Sequence, residues 1–200
     1  MERKVFPFEL EEKELDLEQG FFAGFAAVCG NVDEGEEVID YGAFEETIQE
    51  RGPESPRNRL KVFKYHHFDV PIGKVVEIGE VPRGKMPKVI LELYPEVTGG
   101  LYVKGQISHT PPGEEVLTLM RDGVVDEMSI AYEVMKEAME ESEDGKQVRH
   151  LKELLLYSCD PVPLAMNPAA LVTDVKGLKV EETEDSIRVP VPGEEGKHDD

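Results

Sequence analysis

The sequence predicts a mainly β domain with a few helices packed on its outside (α+β), and three observations carry that expectation. Apolar runs of strand length recur along most of the chain, bounded by Gly, Pro, Asn and Asp. Apolar residues fall at helical spacing in only two or three short stretches. The 200 residues are 40% hydrophobic, enough to bury one core, and no self-similarity at a period of about 20–50 residues suggests a solenoid.

Each element follows from local pattern. Residues 1–19 form a charged lead-in, with Glu9, Glu11, Glu12, Glu14, Asp16 and Glu18. Phe21 to Val28 is apolar with two small breaks and reads as a buried strand. Gly30 to Gly35 reads as a turn. Tyr41 to Arg51 reads as a helix, with Ala43, Phe44, Thr47 and Ile48 on one face and Gly52-Pro53 as a stop. After a breaker-rich loop, Leu60 to Tyr65, Ile72 to Ile78, Lys88 to Tyr94 and Leu101 to Ile107 read as strands, the last two by alternation. Glu114 to Arg121 has helical spacing and is closed by Gly123. Val124 to Val134 returns to strand character, Lys136 to Lys146 is a polar excursion, Gln147 to Tyr157 is the matching strand, and Ala169 to Val175 is a last strand. Residues 179–200 are an acidic, Pro- and Gly-containing tail too poor in apolar surface to order itself. Its Ile187-Arg188-Val189-Pro190-Val191-Pro192 patch has the composition of a short docking strand. The domain is therefore expected over residues 20–178.

Charge and cysteine content exclude several function classes. With 22 Lys+Arg against 43 Asp+Glu the formal charge is −21, which argues against a phosphate-binding, nucleic-acid partner. No run approaches the roughly 20 apolar residues of a membrane span, and Met1 to Phe8 has no apolar core of a secretory signal. Cys29 and Cys159 form neither a disulfide framework nor a metal quartet, and both lie in apolar company as packing residues. No cofactor and no metal is expected.

Five histidines and one serine remain as carriers of chemistry. His198 lies in the tail, His109 precedes a Pro-rich loop, and His150 sits on a strand where an edge or surface place is expected. His66-His67 ends an apolar strand and precedes Pro71-Ile72-Gly73, so one of the pair has a fixed orientation, and adjacent strand residues face opposite ways. No His, Asp or Glu stands at metal-ligand spacing from them. Ser129 is the only hydroxyl in Val124 to Ala131 and is not in a Gly-x-Ser-x-Gly elbow. Alone it decides nothing.

In combination these features form a pattern. Gly24 to Asp33, Val38 to Phe44, Lys61 to His66, Pro71 to Lys74, Gly123 to Tyr132 and Asn167 to Ala170 resemble, in order and spacing, the tailed-phage prohead (capsid maturation) serine proteases over roughly residues 20–175. The resemblance implies a herpesvirus-protease-like β-barrel. It implies a serine endopeptidase that cleaves scaffold and capsid protein segments, and often itself, within an assembling prohead in the host cytoplasm. The major capsid protein or its scaffold segment would be the protein substrate, and a homo-oligomer is the corresponding expectation from the herpesvirus enzymes.

The same resemblance assigns site residues. Its nucleophile matches Ser129. Its base matches His66, which has four residues between it and the Pro-Ile-Gly turn, with His67 as the alternative. Its orienting Glu falls on Ser158, which carries no carboxylate. Asp160, two residues on and on the same strand face, is the substitute, although it would have to reach about 6–7 Å along the strand. Glu153 faces oppositely. A His66–Ser129 dyad whose imidazole is oriented by a hydroxyl such as that of Ser158 or by water, or a degenerate capsid-assembly factor that keeps the fold without the activity, are the other readings. Backbone N–H groups near Gly123 or Gly73, or the side chains of Arg121 or Arg149, are the candidate oxyanion donors.

Overall fold

The computed structural model describes residues 19–33, 35–141, 145–167, 170 and 172–174. The lead-in through residue 18, the tail with its docking patch, and His198 lie outside the described residues.

The strands are β1 (Phe21–Cys29), β2 (Glu37–Ile39), β3 (Lys61–Lys64), β4 (His67–Pro82), β5 (Gly99–Ile107), β6 (Glu127–Glu141), β7 (Gln147–Val162) and β8 (Val172–Asp174). They form one sheet in the order β2-β7-β3-β4-β5-β1-β8, with β6 paired to β7. The ladder is antiparallel except where β7 runs parallel to β2 and β3. The Met128 amide of β6 donates to the Ala170 carbonyl, just before β8, at 2.9 Å, so the branch strand β6 on β7 approaches the β8 end of the path and the sheet curls as a half-barrel. The expected mainly β architecture with few helices is what the chain adopts.

The concave side holds the main core. Phe22, Phe44, Leu60, Val62, Val75, Leu101, Val103, Leu117, Met128, Leu151, Leu154 and Leu156 are buried there. Helix α1 (Glu45–Arg51) docks on β7 through a buried Thr47, whose hydroxyl accepts the Leu156 N–H at 3.0 Å. Helix α3 (Pro111–Arg121) buries Val116, Leu117 and Met120, and its Pro-Pro start needs no intrahelical N–H partners. The short α2 (Lys88–Leu93) closes a satellite cluster with Phe25, Val28, Val81 and Ile90.

Three expectations are corrected. Lys88 to Leu93 is a helix and not a strand, because a six-residue apolar run fits either period and Pro87 at its start favours the helical turn. The polar excursion at Lys136–Lys146 is largely strand: β6 continues to Glu141 as a two-stranded arm with β7. Neither face of that arm is fully buried, so its strand state leaves no apolar alternation to read. Ion pairs Lys136–Glu153, Arg149–Glu137 and Lys152–Glu140 run between its strands. Helix α1 begins at Glu45 and not Tyr41, since Gly42 takes φ 99° in the preceding turn.

Gly73 lies between Val62 of β3 and Ile107 of β5. A Cβ there would come closer than 3.0 Å to the Gln106 carbonyl oxygen, which is backbone and cannot swing aside. Gly73→Ala is expected to cost roughly 3 kcal/mol. The measurement is a lower urea midpoint with an unchanged m-value.

Candidate active site

β3 and β4 are joined by the two-residue turn Tyr65-His66, with Lys64 opposite His67. Both turn residues have positive φ, 51° and 61°, the left-handed pair that a tight hairpin of this twist requires. Neither is glycine or asparagine, so the turn carries strain of about 1 kcal/mol or more per residue. His66 is therefore in the turn and not on the strand, and strand alternation with His67 does not apply to it. His67 is exposed as the first residue of β4.

The turn is held by Asp160. Nδ1 of His66 lies 2.5 Å from Oδ2 of Asp160. The same oxygen accepts the Ser158 hydroxyl at 2.6 Å, and Oδ1 accepts the Phe63 N–H at 2.6 Å. Asp160 is 0% exposed, and a buried carboxylate costs several kcal/mol unless donors surround it. Three donors do so. The His66 side chain is 33% exposed, so its ring reaches from the buried acid toward solvent. The displacement along the strand expected for Asp160 is not needed, because the hairpin brings the imidazole to it.

A β-bulge turns Asp160 to this side. In the β6–β7 ladder Ala131 faces Ser158 and Tyr132 faces Leu156, which leaves Tyr157 as an extra residue. Before it, Leu154 and Leu156 enter the core. After it, Cys159 enters the core, and Ser158 and Asp160 face the other way. In the same ladder Ser129 is directly opposite Asp160. Directly opposed residues project from the same face with Cβ atoms about 5 Å apart. Ser129, Asp160 and His66 are thus brought together. Ser129 and His66 are not hydrogen-bonded to each other among the described residues, a looseness common in unliganded sites.

The other candidates are elsewhere. Arg149 pairs with Glu37 and Glu137, eleven positions along β7 from Asp160 and so roughly 36 Å away. The Gly123 N–H is used by the Met120 carbonyl at the end of α3. His109 pairs with Glu114, and His150 with Asp40 at 2.7 Å. Cys29 and Cys159 are buried free thiols, and burial pushes both well above the ordinary thiol range, so neither supplies a thiolate nucleophile. Among the described residues no group of three His, Cys, Asp or Glu side chains could hold a metal ion, and no helix is long and apolar enough to cross a membrane.

Sequence reasoning did not reach two parts of the site. The Phe63 amide is backbone, which leaves no side-chain signal. Ser158 is expected either as a vacancy in the family pattern or as a hydroxyl orienting His66 directly; its hydroxyl instead donates to the acid beside it. Asn31 and Asn167, from two of the six motifs, form a reciprocal amide pair at 3.0 and 3.1 Å that ties the loop after β1 to the segment after β7.

Comparison with known proteins identifies the family. The chain is 27% identical over 123 residues to the prohead protease of Enterobacteria phage HK97, covering 61% of this chain and 46% of that protein. It therefore spans less than half the length of this relative. Among solved structures it is similar to the bacteriophage T4 capsid assembly protease gp21, with a TM-score of 0.48, 10% identity, and coverage of 74% of this chain and 82% of that one. The caudovirus prohead serine protease family matches residues 7–186, nearly the whole chain, and the protein belongs to that family.

Proposed function

We propose that the protein is a serine endopeptidase that trims scaffold or capsid protein segments during phage prohead maturation, with Ser129 as nucleophile, His66 as general base and Asp160 as the orienting acid. The observation that carries this reading is the contact between the His66 ring and a fully buried Asp160 that lies opposite Ser129 in the ladder. Asp160 offers only acceptors, so Nδ1 of His66 carries the proton and Nε2 is left as the acceptor. That nitrogen takes the Ser129 proton as Oγ attacks the scissile carbonyl. The imidazolium so formed gains from the Asp160 carboxylate in a site with little water around the acid. The proton then passes to the leaving amine, and a water molecule repeats the sequence on the acyl-enzyme. The substrate is the scaffold or capsid protein of the assembling prohead.

The test is co-expression with the cognate capsid protein, wild type against Ser129→Ala, read by intact mass. Trimming by wild type and none by Ser129→Ala is the expected result. Trimming by Ser129→Ala would remove the nucleophile, and trimming by neither would favour an assembly factor that has kept the fold alone.

A further inference from the structure

Immediately beside the His66 turn is a group of three aromatic rings that the core does not use. β3 and β7 run parallel with Lys61 opposite Ser158, so Phe63 lies on the same face as Asp160, two residues further along each strand. The Phe63 ring meets Phe68 edge-on with centroids 5.0 Å apart, and Phe68 meets Tyr157 edge-on at 6.5 Å. Arg51 lies over the Tyr157 ring, 5.1 Å from its centroid.

The backbone lifts these rings outward. Between the pairs Lys64–His67 and Phe63–Pro71, β4 carries Phe68, Asp69 and Val70 with no residue opposite them on β3. That bulge leaves Phe68 57% exposed, and the bulge in β7 leaves Tyr157 39% exposed. Two large rings in contact on the surface of a chain with charge −21 are not part of either core cluster. Both belong to segments that directly continue His66 or Asp160. An apolar side chain arriving with a peptide would shed water against the rings while its backbone lies near the imidazole.

We propose that Phe63, Phe68 and Tyr157 form a subsite that takes a large apolar side chain of the peptide substrate close to the scissile bond. The inference rests on the protease reading above and deepens it by naming a specificity element. It also makes the bulge in β4 functional: removing Phe68, Asp69 and Val70 from the strand register is what presents the ring.

The experiment uses the full chain and a proteome-derived peptide library, with cut sites read by mass spectrometry and Ser129 labelling followed with a fluorophosphonate. Wild type is compared with Phe68→Ser and with Met139→Ser, an equally exposed residue on the distant β6–β7 arm. The expected result is an aromatic or large aliphatic preference at one fixed position near the cut. That preference falls about tenfold or more in Phe68→Ser, while Met139→Ser keeps it and fluorophosphonate labelling is equal in all three. Superimposable cut-site profiles for wild type and Phe68→Ser, with labelling intact, would overturn the subsite alone. Loss of both labelling and cleavage in wild type would overturn the protease reading and the subsite with it.

Discussion

Asp160→Asn is expected to slow peptide cleavage by on the order of 10⁴-fold while the chain stays folded. All three groups around the carboxylate are donors: the His66 ring, the Ser158 hydroxyl and the Phe63 amide. An asparagine presents one oxygen and one NH₂. If its NH₂ faces His66, Nδ1 must become the acceptor and Nε2 the proton carrier, the tautomer that cannot take a proton from Ser129. If its NH₂ faces Phe63, two backed-up donors meet in a buried place. The hydroxyl of Ser158 can rotate, so only one conflict is left, worth about 1–3 kcal/mol of stability. The variant should therefore melt earlier in urea by that amount and lose nearly all turnover. Turnover within tenfold of wild type would show that His66 does not depend on Asp160 for its tautomer.

Glu80→Gln is expected to stabilise the fold at pH 8 and to do almost nothing at pH 4.5. Glu80 accepts the Gly42 N–H at 2.9 Å, at the turn that leads into α1. Burial pushes its carboxyl up to about 7, the Gly42 and Phe44 amides pull it partly back, and Glu45 raises it again. The folded-state value lies above the unfolded one near 4.5. Stability linked to Glu80 is thus intact below pH 4.5, falls as the pH rises toward 7, and is fully lost above it. A shift of that size corresponds to about 3 kcal/mol. Glutamine keeps the acceptor for Gly42 and never ionises, so the difference between variant and wild type should open over that pH interval. Urea denaturation at pH 4.5, 6 and 8 measures it. A difference that is the same at all three values would mean that ionisation of Glu80 carries no penalty in the folded protein.

Much of the fold was legible because the relevant residues are half or fully buried. Phe21–Cys29 and Gly99–Ile107 are strands whose side chains enter the core, and α3 shows its buried stripe at Val116, Leu117 and Met120. Legibility ends where burial ends. The outer half of β6 is polar on both sides and reads as a loop, although it is strand held by backbone pairing and cross-strand charges. β2 is three residues long and pairs in parallel with a strand more than a hundred positions away, which no local pattern announces.

The site divides in the same way. Ser129 and His66 follow from motif order and Asp160 only from its place two residues past the family's Glu position, and the approach of the three follows from neither. It depends on a turn with two left-handed residues at Tyr65 and His66, and on one extra residue at Tyr157. Both are backbone events set by tertiary packing, because Tyr-His is not a sequence that asks for such a turn. Gly73 and the Asn31–Asn167 pair show the converse: motif residues that look functional in sequence support chain approach and loop closure.

The extra residue at Tyr157 makes β7 a counting device. Just upstream of it Leu154 and Leu156 belong to the interior, and just downstream Cys159 does. Deleting a single position there would leave every neighbouring amino acid unchanged in kind and yet exchange their destinations. The sulfur of Cys159 would swing out to the face that now carries Ser158 and Asp160, and the charge of Asp160 would be driven among leucines. Variation around Tyr157 is consequently tolerant of spelling and intolerant of length: letters can be replaced one by one, whereas a frame of one residue moves Asp160 away from the His66 turn.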